Sequence, residues 1–262
     1  GQSVEVVVTR VETETVIVTA TPNPADADTG SDDEDMDAMP VTLNINWGSE
    51  PPSADPSLST DTTSVNLVAN LFVGLTQFDP NSGEVLPYLA TDWDVSDDGL
   101  VYTFHLRDDI VWVNYDPATG ETTAITDADG NTMYVNAHDV VYVVTRTVDP
   151  VTASDYSYVL YGIQNALSIN SSEDADEDGE ADLTVADLGV EALDDWTVQF
   201  TLEHPAPYFP SIAGLWVAKP QPQWAIEEWG DEKWTEAGLI VTNGPYMMES
   251  WIHGSELNLV KN

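Results

Sequence analysis

Hydrophobic and polar positions along this chain alternate with two periods, and the switch between them marks its elements. VTLNINW, Val41–Trp47, repeats every second residue and predicts a strand. The proline-rich SEPPSADP that follows cannot continue a ladder. TTSVNLVANLFVGL then places Val65, Val68, Ala69, Phe72 and Leu75 near helical spacing, with Thr63 or Ser64 as the expected N-cap and Gly74 near the stop. In YTFHLRDDIVW, Leu100, Tyr102, Phe104 and Leu106 share one face while Val101, Thr103, His105 and Arg107 share the other, and the pattern predicts a hairpin turning on Asp108 and Asp109.

Further on, Ala137, Val140, Val141, Val144 and Val148 recur at helical intervals behind Asn136, which predicts a helix with Asp139 in its first turn. ADLGVEALDDWTVQFTL reads as a hairpin turning at Asp194–Asp195, with Trp196, Val198, Phe200 and Leu202 alternating along its second arm. QWAIEEWGDEKW predicts a short helix stopped by glycine. NGPYMMESW and SELNLV predict two strands around a turn at Gly254. Helices and hairpins intermix, so the expected class is α/β with mixed sheets.

Composition separates the first forty residues from the rest. EVVVTRVETETVIVTATPNP is built from Val, Thr and Glu, and PADADTGSDDEDMDAMP is acidic and poor in large apolar residues. Residues 1–40 therefore read as a disordered, self-repelling acidic spacer. The whole chain of 262 residues carries six Lys and Arg against 47 Asp and Glu, a formal net charge of −41. Phosphate neutralisation needs basic patches, so this balance argues against nucleic acid as a partner and against direct adsorption to an anionic membrane. It favours a soluble monomer, and a saline habitat would screen the self-repulsion it brings. The chain has no cysteine, which excludes disulfides and thiolate chemistry. No run of residues approaches the length of a membrane span.

Enzyme signatures are lacking. No two glycines are spaced as G-x-G, and no P-loop, H-E-x-x-H or G-x-S-x-G occurs. His105, His138, His204 and His253 stand far apart without ligand spacing. Paired carboxylates are frequent, as chance dictates among so many acids. The expectation is a protein that is not an enzyme and requires no cofactor. One acidic stretch is more specific. EDADEDGEAD sets Asp174, Asp176, Asp178 and Asp182 around Gly179, a spacing that can wrap a calcium ion in oxygen. The bidentate Glu of an EF-hand loop is replaced by Val185. The stretch reads as a calcium loop of a stabilised surface or adhesion module, or as a solvated acidic insertion. TDADGNT, Thr126–Thr132, reads as a hairpin tip.

Five segments in order carry a resemblance: EPPSADP, LFVGLTQFDPNSGEVLPYLATDWDVSDDGLVYTFHLRDDIVW, NAHDVVYVVTRTVDP, LGVEALDDWTVQFTLEHPAPYF and VTNGPYMMESWIHGSELNLVKN. From about Val41 onward the chain resembles the family-5 extracellular solute-binding proteins of ABC transporters, and their oligopeptide binders above all. The resemblance implies a periplasmic-binding-protein-like, type II fold with an extra family-specific subdomain. Residues 41–72 and 219–262 would form part of the first ligand-binding lobe and 73–218 the extra subdomain, while the second lobe would follow Asn262 and is missing from this chain. It further implies peptide capture outside the cytoplasmic membrane, delivery to an ABC permease, and a lipid anchor upstream of Gly1. Dipeptides, nickel or another small solute are the family's other ligands. Carried over position by position, the expected ligand-binding residues are Thr60, Asp61 and Thr62, a few residues past the SADP motif, and Tyr156, after VDPVTAS. Asp61 stands where the family usually has a small residue. It would favour cationic peptides or point to solvent.

Overall fold

The computed structural model describes residues 42–173 and 181–262. The chain divides into two compact units, Gly1–Ile45 and Asn46–Asn262, and every element below lies in the second. In chain order these are α1 (Thr62–Leu71), β1 (Thr76–Phe78), β2 (Val85–Pro87), β3 (Ala90–Val95), β4 (Val101–Leu106), β5 (Val113–Asp116), β6 (Glu121–Ala124) and α2 (Ala137–Val148). Then come α3 (Ala166–Asn170), β7 (Val190–Asp194), β8 (Thr197–Thr201), α4 (Phe209–Ala213), α5 (Gln223–Trp229), β9 (Val241–Thr242), β10 (Tyr246–Ile252) and β11 (Glu256–Lys261). Single 3-10 turns cover Ser157–Leu160, Val185–Asp187 and Trp216–Ala218. Among the described residues no helix is long and apolar enough to cross a membrane.

The largest sheet is antiparallel with strand order β3-β4-β8-β7. Its period-two pattern sorts residues between faces. Tyr102, Phe104, Leu106, Val198 and Phe200 are buried, while Thr103, His105 and Gln199 lie on the half-exposed face. Phe104 meets Phe200 edge-on at 5.7 Å, and Phe209 of α4 closes on Phe200 at 5.2 Å. α2 covers the sheet's inner side along β7 and β8. A second sheet runs β6-β5-β9, and β1-β2 and β10-β11 form separate antiparallel pairs.

Three sequence expectations change. The stretch Tyr102–Trp112 is not a hairpin: β4 pairs with β3 and β8, whereas β5 pairs with β6 and β9. Arg107 ends the strand by clasping Asp109, with Nη2 at 2.7 Å from Oδ2, and its backbone N–H donates to Leu89 O at 3.0 Å. Trp112 then belongs to another cluster, edge-on to Trp224 at 5.5 Å. Alternation marks a residue's face and not its ladder partner, which is why the pairing was illegible. The N-cap of α1 is Asp61, not Thr63 or Ser64. Thr42–Asn46 forms no regular element. The tip at Thr126–Thr132 does close as a bridge over Gly130, whose φ of +85° places it in the left-handed region.

A buried polar network joins the SADP loop to α2. Arg146 and Asp55 are 7% and 1% exposed, so their charges must be satisfied internally. The guanidinium grips Asp55 with both arms, at 2.9 and 2.8 Å, and donates also to Gln221 Oε1 at 2.7 Å and Asp231 Oδ1 at 2.8 Å. Asp55 accepts further from Trp234 Nε1 and Ser57 N. Burial opposes the charge on Arg146, and the carboxylates of Asp55 and Asp231 overcome it and raise its pKa. Thr147 donates its hydroxyl proton to Val217 O, which leaves Ser57 Oγ to donate to Thr147 and to accept from Gln221 Nε2.

The start of α2 carries a second buried acid. The predicted helix is present with Asp139 in its first turn; Asn136 caps it, and Asp139 returns a bond by accepting the Asn136 N–H at 2.9 Å. Trp112 Nε1 donates to the same oxygen at 3.2 Å. Burial pushes the Asp139 pKa up to about 6, against these two bonds.

Two outcomes are expected. Arg146→Met leaves Asp55 buried and unpaired, and should cost about 3–5 kcal/mol in denaturant unfolding; a loss below about 1 kcal/mol would show that the pair does not support the fold. Asp139 has a folded pKa above its ordinary 3.8, so the stability it contributes is complete below about pH 4 and lost as pH rises through about 6. Asp139→Asn keeps an acceptor for both donors. The stability difference between wild type and variant should therefore shift by about 2–3 kcal/mol against the wild type over that window, and a flat difference would refute the assignment.

Candidate functional site

The loop after Asp55 is held from three sides. Ser59 Oγ donates to Asp55 O at 2.7 Å, Ser154 Oγ to Ser57 O at 2.6 Å, and Trp216 Nε1 to Ser59 O at 2.9 Å. Thr60 therefore stands exposed at the rim of a rigid loop. Among the described residues neither its backbone N–H nor its C=O has a hydrogen-bond partner. Thr62 is exposed as well and opens α1.

Asp61, between them, turns inward. Its Oδ1 accepts the N–H groups of Thr63 at 2.9 Å and Ser64 at 3.0 Å, satisfying two of the helix's orphan donors. Its Oδ2 is enclosed and has no hydrogen-bond partner among the described residues. Burial pushes the carboxyl pKa up, but the hydrogen bonds from Ser64 and Thr63 outweigh it and the pKa falls below its ordinary value. Asp61 is thus an ionised helix cap.

Tyr156 approaches the same rim from α2's far end. VDPVTAS turns sharply there: Asp149 Oδ1 accepts the Val151 N–H, and Ala153 takes a φ of +54°, a left-handed conformation that alanine adopts only when its surroundings impose it. The bond from Ser154 to Ser57 is one such restraint. Tyr156 then lies half-buried, edge-on to Trp216 at 5.1 Å and beside Tyr158 at 5.5 Å. The structure thus brings the Thr60–Thr62 segment and Tyr156 together through one side chain, Trp216. Sequence reasoning missed Trp216 and Ser154. Neither belongs to a periodic pattern, and each acts through a loop carbonyl.

A second set of contacts fixes the segment after α1. Asn243 N and Gly244 N both donate to Leu71 O, and Asn243 Oδ1 accepts the Val73 N–H at 2.8 Å. A Cβ on Gly244 would fall 2.5 Å from the Leu71 carbonyl carbon, so only glycine fits here. Lys219, 8% exposed, donates its ammonium to Phe72 O at 2.5 Å. Burial lowers its pKa to about 8. A cleft of about 240 Å³ beside these residues is lined by Tyr88, Asp109, Asn243 and Asn262 among others. Asn243 Nδ2 is buried there without a partner among the described residues.

Of the calcium-loop residues, Asp174, Asp176 and Asp178 lie outside the described residues, as does the acidic spacer. Asp182 donates its backbone N–H to Glu173 O at 2.8 Å. Among the described residues no three His, Asp or Glu converge to hold a metal ion. His253 instead pairs with Glu50 at 2.8 Å and Glu236 at 3.3 Å, and the hydrogen bonds its ring donates to these carboxylates, that to Glu50 first, raise its pKa.

Comparison with known proteins gives this geometry a context. The profile described as "Bacterial extracellular solute-binding proteins, family 5 Middle" matches residues 84–262. The periplasmic oligopeptide-binding protein OppA of Escherichia coli is 37% identical over 222 residues, 84% of this chain and 36% of that protein. The oligopeptide-binding protein OppA of Bacillus subtilis is 33% identical, covering 84% of this chain and 36% of its own length. Among solved structures, the substrate-binding domain of an oligopeptide ABC transporter from Bacillus anthracis superposes with a TM-score of 0.67 at 31% identity, over 81% of this chain and 36% of that one. The chain thus spans little more than a third of the length of these relatives. Its sheets, helices and segment order are those of periplasmic binding proteins, and the chain belongs to the bacterial extracellular solute-binding proteins of family 5.

Proposed function

We propose that the full-length protein captures oligopeptides outside the cytoplasmic membrane and delivers them to the permease of an ABC importer, without chemical turnover. The observation that carries this reading is the unpaired Thr60 backbone, held rigid beside Tyr156 by Trp216. An extended peptide recognises such a rim by adding its own main-chain donors and acceptors, which gives affinity with little dependence on side chains. The names of the relatives agree, since both OppA proteins are described as oligopeptide-binding. Closure of two lobes on the ligand would shift the population toward the form that docks on the permease. A lipid anchor upstream of Gly1 and a monomeric state complete the proposal.

Calorimetry on the full-length protein with tri- to pentapeptides tests it. Micromolar or tighter binding is expected, and Tyr156→Ala should weaken it about ten-fold with a small change in Tm. Dipeptides and nickel serve as the competing ligands of the family. A folded full-length protein that gives no heat with any oligopeptide at millimolar concentration would sink the reading.

A further inference from the structure

Beside the rim lies a cluster of three aromatic rings. Tyr158 is 56% exposed, Tyr156 and Trp216 are half-buried, and the three are in continuous contact, at 5.5 Å and 5.1 Å between centroids. Tyr156 and Trp216 pack one side against the core, and what they leave open adjoins the exposed Tyr158, so a partner seated here would cover three aromatic rings at once. Its polar atoms are divided. The Trp216 indole N–H is spent on Ser59 O, which leaves that ring only its π face and edges. The hydroxyls of Tyr156 and Tyr158 have no hydrogen-bond partner among the described residues, so both oxygens remain open to an incoming donor.

The electrostatic setting selects among ligands. Asp155, the residue before Tyr156, is exposed, and the chain as a whole carries −41. The nearest basic residue along the chain from Trp216 is Lys219, whose ammonium is turned inward to Phe72 O. Ring faces carry negative potential, so a cation placed over them in an acidic field is attracted twice. A neutral aromatic ligand would gain only stacking, and an ammonium would gain charge without a flat surface. A guanidinium is planar, permanently charged and bears five N–H donors, and so can stack and also donate to the two phenol oxygens.

We propose that Tyr156, Tyr158 and Trp216 form a subsite that takes an arginine side chain of the bound peptide, making Tyr158 and Trp216 specificity-determining residues. This rests on the peptide-binding reading above and sharpens it from peptides in general to peptides bearing arginine at one position. Thr60 and its neighbours hold the main chain; the ring shelf reads the side chain.

The test is calorimetry on the full-length protein with a polyalanine peptide and with the same peptide carrying arginine, citrulline, lysine or phenylalanine at each position in turn. Citrulline keeps the shape of arginine and removes its charge. At one position arginine should bind about five- to ten-fold more tightly than citrulline, with lysine between them. Tyr158→Ala should bring that ratio below about two-fold. Trp216→Phe, which keeps a ring but gives up the bond to Ser59 O, should reduce it in part. Tyr134→Ala removes another exposed aromatic, one that contacts Trp196, and should leave the ratio unchanged. Polyalanine binding with no preference for arginine, or a preference that survives Tyr158→Ala, overturns the subsite and leaves the peptide-binding reading intact. Absence of binding by every peptide overturns both.

Discussion

The Asp55–Arg146 pair is the contact on which the rest of the arrangement depends. It joins residues 91 positions apart in the chain, one from the SADP loop and one from α2, and both are sealed from solvent. A single buried charge would be prohibitive, so each partner requires the other. The geometry meets the usual conditions for such a pair: a two-armed grip, further acceptors in Gln221 and Asp231 for the other Nη protons of Arg146, and further donors in Trp234 and Ser57 for the lone pairs of Asp55. Because Ser57 and Thr147 belong to the same network, the loop that ends in Thr60 is built outward from it. The candidate site is therefore the exposed end of a rigid polar core.

Much of the fold was legible because its elements follow their periods closely. The alternation in β4 and β8 named the buried rings, and Asn136 with Asp139 named the start of α2. What was illegible follows from long-range pairing. Nothing in YTFHLRDDIVW says that its two halves enter different sheets, because the deciding contacts come from Leu89 and from the cluster around Trp112. Arg146 sits on the buried side of α2, which a hydrophobic stripe assigns to valines, and only a partner 91 residues away explains it. Asp61 took the cap from Thr63 and Ser64 because both supply the N–H groups being capped.

For the site, position carried over from the family resemblance, and chemistry came from the structure. Thr60, Asp61, Thr62 and Tyr156 were named from the sequence, but their mutual placement depends on Trp216 and Ser154, whose roles are bonds to main-chain oxygens. Such bonds leave no pattern in a sequence. Asp61 shows the same limit from the other side. Its identity suggested a charge offered to a ligand or to solvent, and its geometry shows that charge committed to the first turn of α1.

The placement of the basic residues has a further consequence. Of six Lys and Arg residues in the chain, Arg146 and Lys219 are buried, and Arg107 is clasped by Asp109. Among the described residues, Lys233 and Lys261 are the basic side chains left in the open. A protease that cuts after basic residues finds few footholds on the folded surface, and amine-directed chemistry has equally few targets. Resistance of this kind requires no disulfide and no extra rigidity. It follows first from how few Lys and Arg residues the chain has, and then from the burial of two of them, Arg146 and Lys219, which also bind the structure together.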